Sequence, residues 1–178
     1  MILARKRNKS EEECIELRRV FAAPRNLIYR LWTEPAWVAL WWGESNATNV
    51  VRELDVRRGG RWHIDMTTPT GTTYPNGGQF LEVVENEKLV YTDVPYATCP
   101  AWEKVPPCPK LCTVEFSGVA EGTLVQLTVR FPSPEDLDRT TMTGFSECLG
   151  QGFDRLASLF VDPTSASAAD DVGRGRHA

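Results

Sequence analysis

Between residues 47 and 131 the chain is a succession of short runs that alternate apolar and polar residues, cut by tight-turn signals. The runs cover 47–55, 60–67, 73–85, 88–94, 110–119 and 122–131. Period-two alternation of this kind predicts half-buried strands. Arg58-Gly59-Gly60, Pro69-Thr70-Gly71, Glu85-Asn86-Glu87-Lys88 and Ala120-Glu121-Gly122 separate them as turns,. Connections this short force antiparallel pairing, because a parallel crossover needs a dozen or more residues. One interval departs from the rhythm. Residues 95–109 read PYATCPAWEKVPPCP, with five prolines and no periodicity. They predict a long loop, and loops of that length are often lids or binding loops.

The flanks supply the rest of a domain. Residues 14–21 predict a first strand, with Ile15, Leu17 and Val20 marking its apolar face. The alternation falters at Arg19, which suggests a bulge or a strand end,. Ala22-Ala23-Pro24 stops that strand. Leu27, Ile28, Leu31 and Trp32 then follow helical spacing, and Pro35 starts a second short helix carrying Trp37, Val38, Leu40 and Trp41,. After the strands, residues 134–160 read as one long helix. Ser133 is the candidate N-cap, with acids in the first turn. Met142, Phe145, Leu149, Gly152 or Phe153, Leu156 and Phe160 form its apolar stripe, and Pro163 ends it,.

The expected fold is therefore α+β: a curved antiparallel sheet of about seven strands around a long C-terminal helix, with two short helices after the first strand. This is the helix-grip arrangement. One domain over 12–162 is expected, with a flexible polar leader at 1–11 and a disordered tail at 163–178.

Charge and hydropathy exclude some partners. A net charge of −4 over 178 residues does not supply the dense positive field that nucleic acid requires,. The basic cluster Arg5, Lys6, Arg7 and Lys9 is followed at once by Glu11, Glu12 and Glu13, which fits a solvated terminus,. No run approaches the ~18 apolar residues of a membrane span, and no apolar segment follows the basic start as in a secretory signal. A cytoplasmic protein is expected. An odd count of five cysteines then points to free thiols,.

The element order and several motifs resemble the START-like, birch-pollen-allergen-type superfamily, in the branch named after the activator of the heat shock protein 90 ATPase. The residues carrying the resemblance are RRVFAAPRNLIYRLWTEP (18–35), Trp41-Trp42, LDVRRGGRWHIDM (54–66), GTTYPNGGQFLEVVENEKLVYT (71–92) and GFDRLASL (152–159). The family often has Gly-Trp in the middle of the last helix, where this chain has Gly152-Phe153. The resemblance implies a pocket between sheet and helix whose contents differ among members, from lipids to polyketide intermediates.

Alternation nominates the pocket lining. Trp62, Ile64 and Met66 share one strand face, Val114 and Phe116 another, and Val125, Leu127 and Val129 a third,. Phe80 and Tyr91 join them, as do Met142, Phe145 and Leu149 from the helix and Trp42 from the tryptophan-rich segment. Each could equally be filled core. Gly144, Gly150 and Gly152 inside the helix fit close packing against the sheet or a helix soft enough to move.

Reactive constellations are sparse. His63 falls on the face opposite Trp62 and Ile64, so an outward, structural histidine is expected. Cys99, Cys108 and Cys112 lack the paired spacing of zinc sites, and a Cys99–Cys108 disulfide is the alternative to free thiols. Asp65, Glu82, Asp93 and Glu115 sit in strands and are expected to face solvent. One of them turned inward could act as a general acid. No cofactor is expected.

Three functions follow. The first is noncatalytic binding of a small hydrophobic molecule, as a monomer or a homodimer. The second is a polyketide cyclase or aromatase-like enzyme, which needs Asp93, Glu115, Tyr91 or His63 inside the pocket. The third is a co-chaperone that stimulates an ATPase, which the family name suggests and the lone domain disfavours.

Overall fold

A computed structural model describes residues 2–3, 14–95 and 108–160 of the chain. In chain order the elements are β1 (Ile2–Leu3), β2 (Cys14–Phe21), α1 (Arg25–Thr33), α2 (Pro35–Trp41), β3 (Thr48–Leu54), β4 (Arg61–Thr67), β5 (Thr73–Val84), β6 (Lys88–Pro95), β7 (Lys110–Val119), β8 (Gly122–Arg130), α3 (Pro134–Thr141) and α4 (Phe145–Ser158). The strands form one antiparallel sheet in the order β1-β2-β8-β7-β6-β5-β4-β3. Bulges between Val51 and Glu53 and between Phe80 and Glu82 bend it,. The helix-grip architecture and the α+β class stand as expected.

Three elements differ from the sequence reading. Ile2–Leu3, inside the expected leader, pairs with β2 at Leu17 and Glu16. In β2 the register runs unbroken from Cys14↔Arg130 to Phe21↔Thr123, so there is no bulge at Arg19. Arg19 takes an inner position because it pairs with Asp154 of α4, and Val20 points outward at 46% exposure.

The third difference is the long helix, which is two helices. α3 starts as expected, with Ser133 accepting from the Asp136 amide at 3.1 Å and Pro134 in the first turn. It ends at Thr141. Gly144 then adopts φ +81°, a left-handed conformation that stops a helix cheaply only for glycine,. The Thr143 hydroxyl donates to the Thr140 carbonyl at 2.7 Å and helps close the last turn,. Met142, assigned to the apolar stripe, sits at this corner and is 88% exposed.

Helices α1 and α2 cover one end of the sheet. Ile28, Leu31 and Val38 are fully buried with Val114, Val125 and Leu156. The Trp41 indole donates to the Leu31 carbonyl at 2.7 Å and locks the two helices together. Trp62 reaches across β5 to donate to the Thr92 carbonyl at 2.9 Å. Gly78 permits that crossing, since a Cβ there would lie 1.8 Å from the Thr92 oxygen and 2.8 Å from the indole nitrogen.

The expected loop 95–109 lies outside the described residues except for Pro95, Cys108 and Pro109. The expected tail at 163–178 lies outside them entirely. No described helix is long and apolar enough to cross a membrane.

Candidate functional site

At the end of the sheet that α1 and α2 leave uncovered, a cavity of about 360 Å³ lies beneath the α3–α4 corner. The helix break at Gly144 borders it, with Thr140, Thr143 and Gly144 among the lining residues. The floor comes from positions on five strands: Met66 on β4, Tyr74 and Asn76 on β5, Tyr91 and Asp93 on β6, Lys110 and Cys112 on β7, Leu127 and Val129 on β8. Trp32, Trp41 and Trp42 form one side, and Phe145, Cys148, Leu149 and Phe153 of α4 form the roof.

Of the residues nominated from sequence, Trp42, Met66, Tyr91, Leu127, Phe145 and Leu149 line this cavity. Five others do not. Trp62, Ile64 and Phe80 border a separate void of about 20 Å³ under α2, too small for anything beyond a water molecule,. Phe116 is core, edge-on to Tyr29 at 5.6 Å and to Trp32 at 6.0 Å. Met142 is on the surface. The reason is common to the first four: the inward face of the sheet is continuous, but α1 and α2 fill its other half with Trp32, Val38 and Trp41. Alternation identifies the face and not the covered part of it.

The wall is not wholly apolar. Asp93 and Lys110 are opposite each other in the β6–β7 register, and Lys110 Nζ lies 3.3 Å from Asp93 Oδ2. Both are buried, at 7% and 5% exposure. Lys110 also donates to the Cys108 carbonyl at 3.4 Å and sits 5.2 Å from the centre of the Phe145 ring,. Asp93 therefore faces the cavity, against the expectation that it faces solvent. Next in the register, Tyr91 lies opposite Cys112. Burial above all, with the nearby Asp93 carboxylate adding to it, pushes both groups well above their ordinary values, and Lys110 offsets only part of the effect on Cys112. Each is a neutral hydrogen-bonding group, not a base or a thiolate. Burial also pushes the Cys148 thiol up to about 11, with Glu44 adding to the effect.

The remaining nominated groups stand away from the cavity. His63 bonds Asp65 at 3.0 Å on the outer face, and Asp65 in turn accepts from Arg52 at 2.8 Å. Glu115 is exposed, and Glu82 pairs with Lys88 at 3.1 Å on the surface. Cys108, Cys112 and Cys148 are free thiols. Cys99, the other half of the disulfide alternative, lies outside the described residues. Among the described residues no cluster of three or more His, Cys, Asp or Glu could hold a metal ion.

The sequence matches the model of the family described as activator of Hsp90 ATPase homolog 1-like protein over residues 22–161. The chain belongs to this family. Among curated proteins none matches it. Solved structures share the fold. A protein from Arthrobacter aurescens superposes with a TM-score of 0.77 at 18% identity, covering 86% of this chain and 88% of that one. A Mycobacterium smegmatis protein reaches 0.75 at 20% identity, with 90% and 97% covered. A Nitrosomonas europaea protein reaches 0.69 at 27% identity, with 85% and 96% covered.

In this family member one residue that sequence reasoning left without a role organises the cavity rim. Arg155 of α4 donates to three carbonyls of the segment after α2: Trp42 at 2.9 Å, Glu44 at 2.8 Å and Ala47 at 3.0 Å. Gln151 accepts from the Ser45 amide at 2.7 Å. Asn49 donates to the Ala39 and Trp42 carbonyls at 3.0 and 2.9 Å. These bonds fasten the segment that carries the cavity-lining Trp42, Gly43 and Glu44 to α4 and β3. Gly152 packs its backbone against the Trp41 and Gly43 carbonyls, where a Cβ would sit at 3.4 Å. Its close contact is thus with this rim and not with the sheet. Phe153, in the place of the family's tryptophan, packs 6.0 Å from Trp32 and 5.9 Å from Phe21.

Proposed function

We propose that this protein binds a small, mainly hydrophobic metabolite of lipid or polyketide type in the cavity beneath the α3–α4 corner, without covalent chemistry. The observation that carries the reading is an aromatic and aliphatic cavity of about 360 Å³ held between rigid elements. Binding sites for small molecules commonly span roughly 300–1,000 Å³ and pair apolar walls with a few polar groups. An engineered cavity of about 150 Å³ takes benzene. By that ratio this one suits about two to three rings. Its neutral thiols and neutral tyrosine favour recognition over nucleophilic attack.

The protein is placed in the cytoplasm on this reading, where free cysteines stay reduced,. Purification from cell extract followed by solvent extraction and mass spectrometry tests the proposal, with a thermal-shift panel of lipids and polyketides alongside. A copurifying apolar compound that raises the melting temperature is the expected result. Repeated absence of any such compound, with no shift across the panel, contradicts it.

A second reading, a cyclase-like enzyme, draws on one observation: Tyr91 and Asp93 line the cavity. Turnover of a polyketide-type chain that Asp93→Asn abolishes would favour it over simple binding.

A further inference from the structure

One carboxylate oxygen in the cavity wall has no partner. Asp93 Oδ2 is engaged by Lys110 at 3.3 Å. Asp93 Oδ1 is shut off from bulk water and accepts no hydrogen bond from the described residues. Its ion-pair partner is already shared. Lys110 is shared among Asp93, the Cys108 carbonyl and the Phe145 ring. A buried acceptor left without a donor carries its full desolvation cost. The arrangement is complete only when a donor arrives from the cavity.

The charge balance restricts what that donor is. Asp93 and Lys110 neutralise each other, so the polar end has no net charge to offer. A ligand ammonium would leave an uncompensated positive charge in an apolar cavity, and a ligand carboxylate would meet Asp93 as a like charge. A hydroxyl brings a donor and no charge. An alcohol or phenol is also the smallest group that satisfies Oδ1 while the rest of the molecule lies against carbon.

We infer that the ligand is an uncharged, hydroxyl-bearing aromatic or polycyclic compound whose hydroxyl donates to Asp93 Oδ1 while its apolar body lies against Trp42, Leu127 and Phe145. The inference rests on the binding function proposed above and names the ligand class for that same cavity. Asp93–Lys110 acts as the specificity determinant: it selects among compounds that the apolar walls would hold alike.

The test compares naphthalene, 2-naphthol and 2-naphthoate by tryptophan-fluorescence titration or calorimetry, against the full chain and an Asp93→Leu/Lys110→Met double variant. Burial alone favours naphthalene, the most apolar of the three. The expected wild-type result is the reverse: 2-naphthol binds about tenfold more tightly than naphthalene, from one hydrogen bond to a charged acceptor. 2-Naphthoate binds more weakly than 2-naphthol. Replacing a buried ion pair by apolar residues of similar volume is often tolerated. The double variant should lose the preference for 2-naphthol over naphthalene, whatever its affinity for naphthalene itself. Equal wild-type affinities, a preference for 2-naphthoate, or a preference for 2-naphthol that survives in the double variant overturns the inference and leaves the binding function standing. Binding of none of the three overturns both. The wild-type ranking decides on its own if the double variant does not fold.

Discussion

Arg155→Ala removes the clamp between α4 and the cavity rim. Three charge-assisted bonds to the Trp42, Glu44 and Ala47 carbonyls are lost. Such bonds contribute about 1.5–3 kcal/mol each when fully buried. Arg155 is only half-buried, so about 1 kcal/mol each is the appropriate scale,. Two carbonyls keep a second donor: Asn49 for Trp42, and the Ala47 amide at 3.2 Å for Glu44. The net loss is then about 2–3 kcal/mol. For a chain of this size, each kcal/mol moves the melting temperature by roughly 2–4 °C, which gives a fall of about 4–12 °C by calorimetry. Arg155→Lys should recover about one-third of the loss, because an ammonium cannot span three carbonyls as a planar guanidinium does. Hydrogen exchange at the Ser45 and Ala47 amides should accelerate in both variants. A melting temperature within about 1 °C of wild type for Arg155→Ala, or full recovery by lysine, would refute the clamp.

Three further outcomes are expected. Gly78→Ala places a methyl against the Thr92 carbonyl and the Trp62 indole; soluble yield and near-ultraviolet dichroism should collapse, and a normally folded variant would show that the crossing is not tight. Gly144→Ala meets no atom nearer than 4.0 Å yet keeps φ +81°, so denaturant titration should show a loss of about 1–2 kcal/mol from the left-handed conformation alone. Cys148 has a folded pKa raised from 9.0 to about 11. Its contribution is therefore complete below about pH 9 and is lost as pH rises through about 11; Cys148→Ala should flatten the alkaline fall of the denaturation midpoint, and an unchanged slope would contradict the burial of that thiol.

The legible part of this molecule is what local pattern controls. β3 to β8 fall within a residue or two of the alternating runs, because each has one buried face and short turns set the register. The two short helices were readable from Pro24 and Pro35. The α3–α4 corner was not, since Met142 fits the apolar spacing of a continuous helix and only the left-handed Gly144 reveals the break. The cavity was half legible. Tyr91, Leu127 and Met66 share a face with Trp62 and Phe116, and nothing local says which end of that face α1 and α2 will fill. Asp93 and Lys110 are 17 positions apart and meet only through the β6–β7 register. Arg155 bonds residues more than 100 positions away. Such partners are set by tertiary placement, and no periodicity encodes them.

The central claim is that the cavity under the α3–α4 corner binds an apolar molecule. The dissociation constant of naphthalene for the wild type and for Leu149→Trp tests it most directly. Leu149 is partly buried in the cavity roof, so an indole there fills the space without crowding the sheet. The account predicts measurable wild-type binding and at least about a tenfold loss in a variant with an unchanged dichroism spectrum. Equal affinity in the two proteins would place the ligand elsewhere and contradict it.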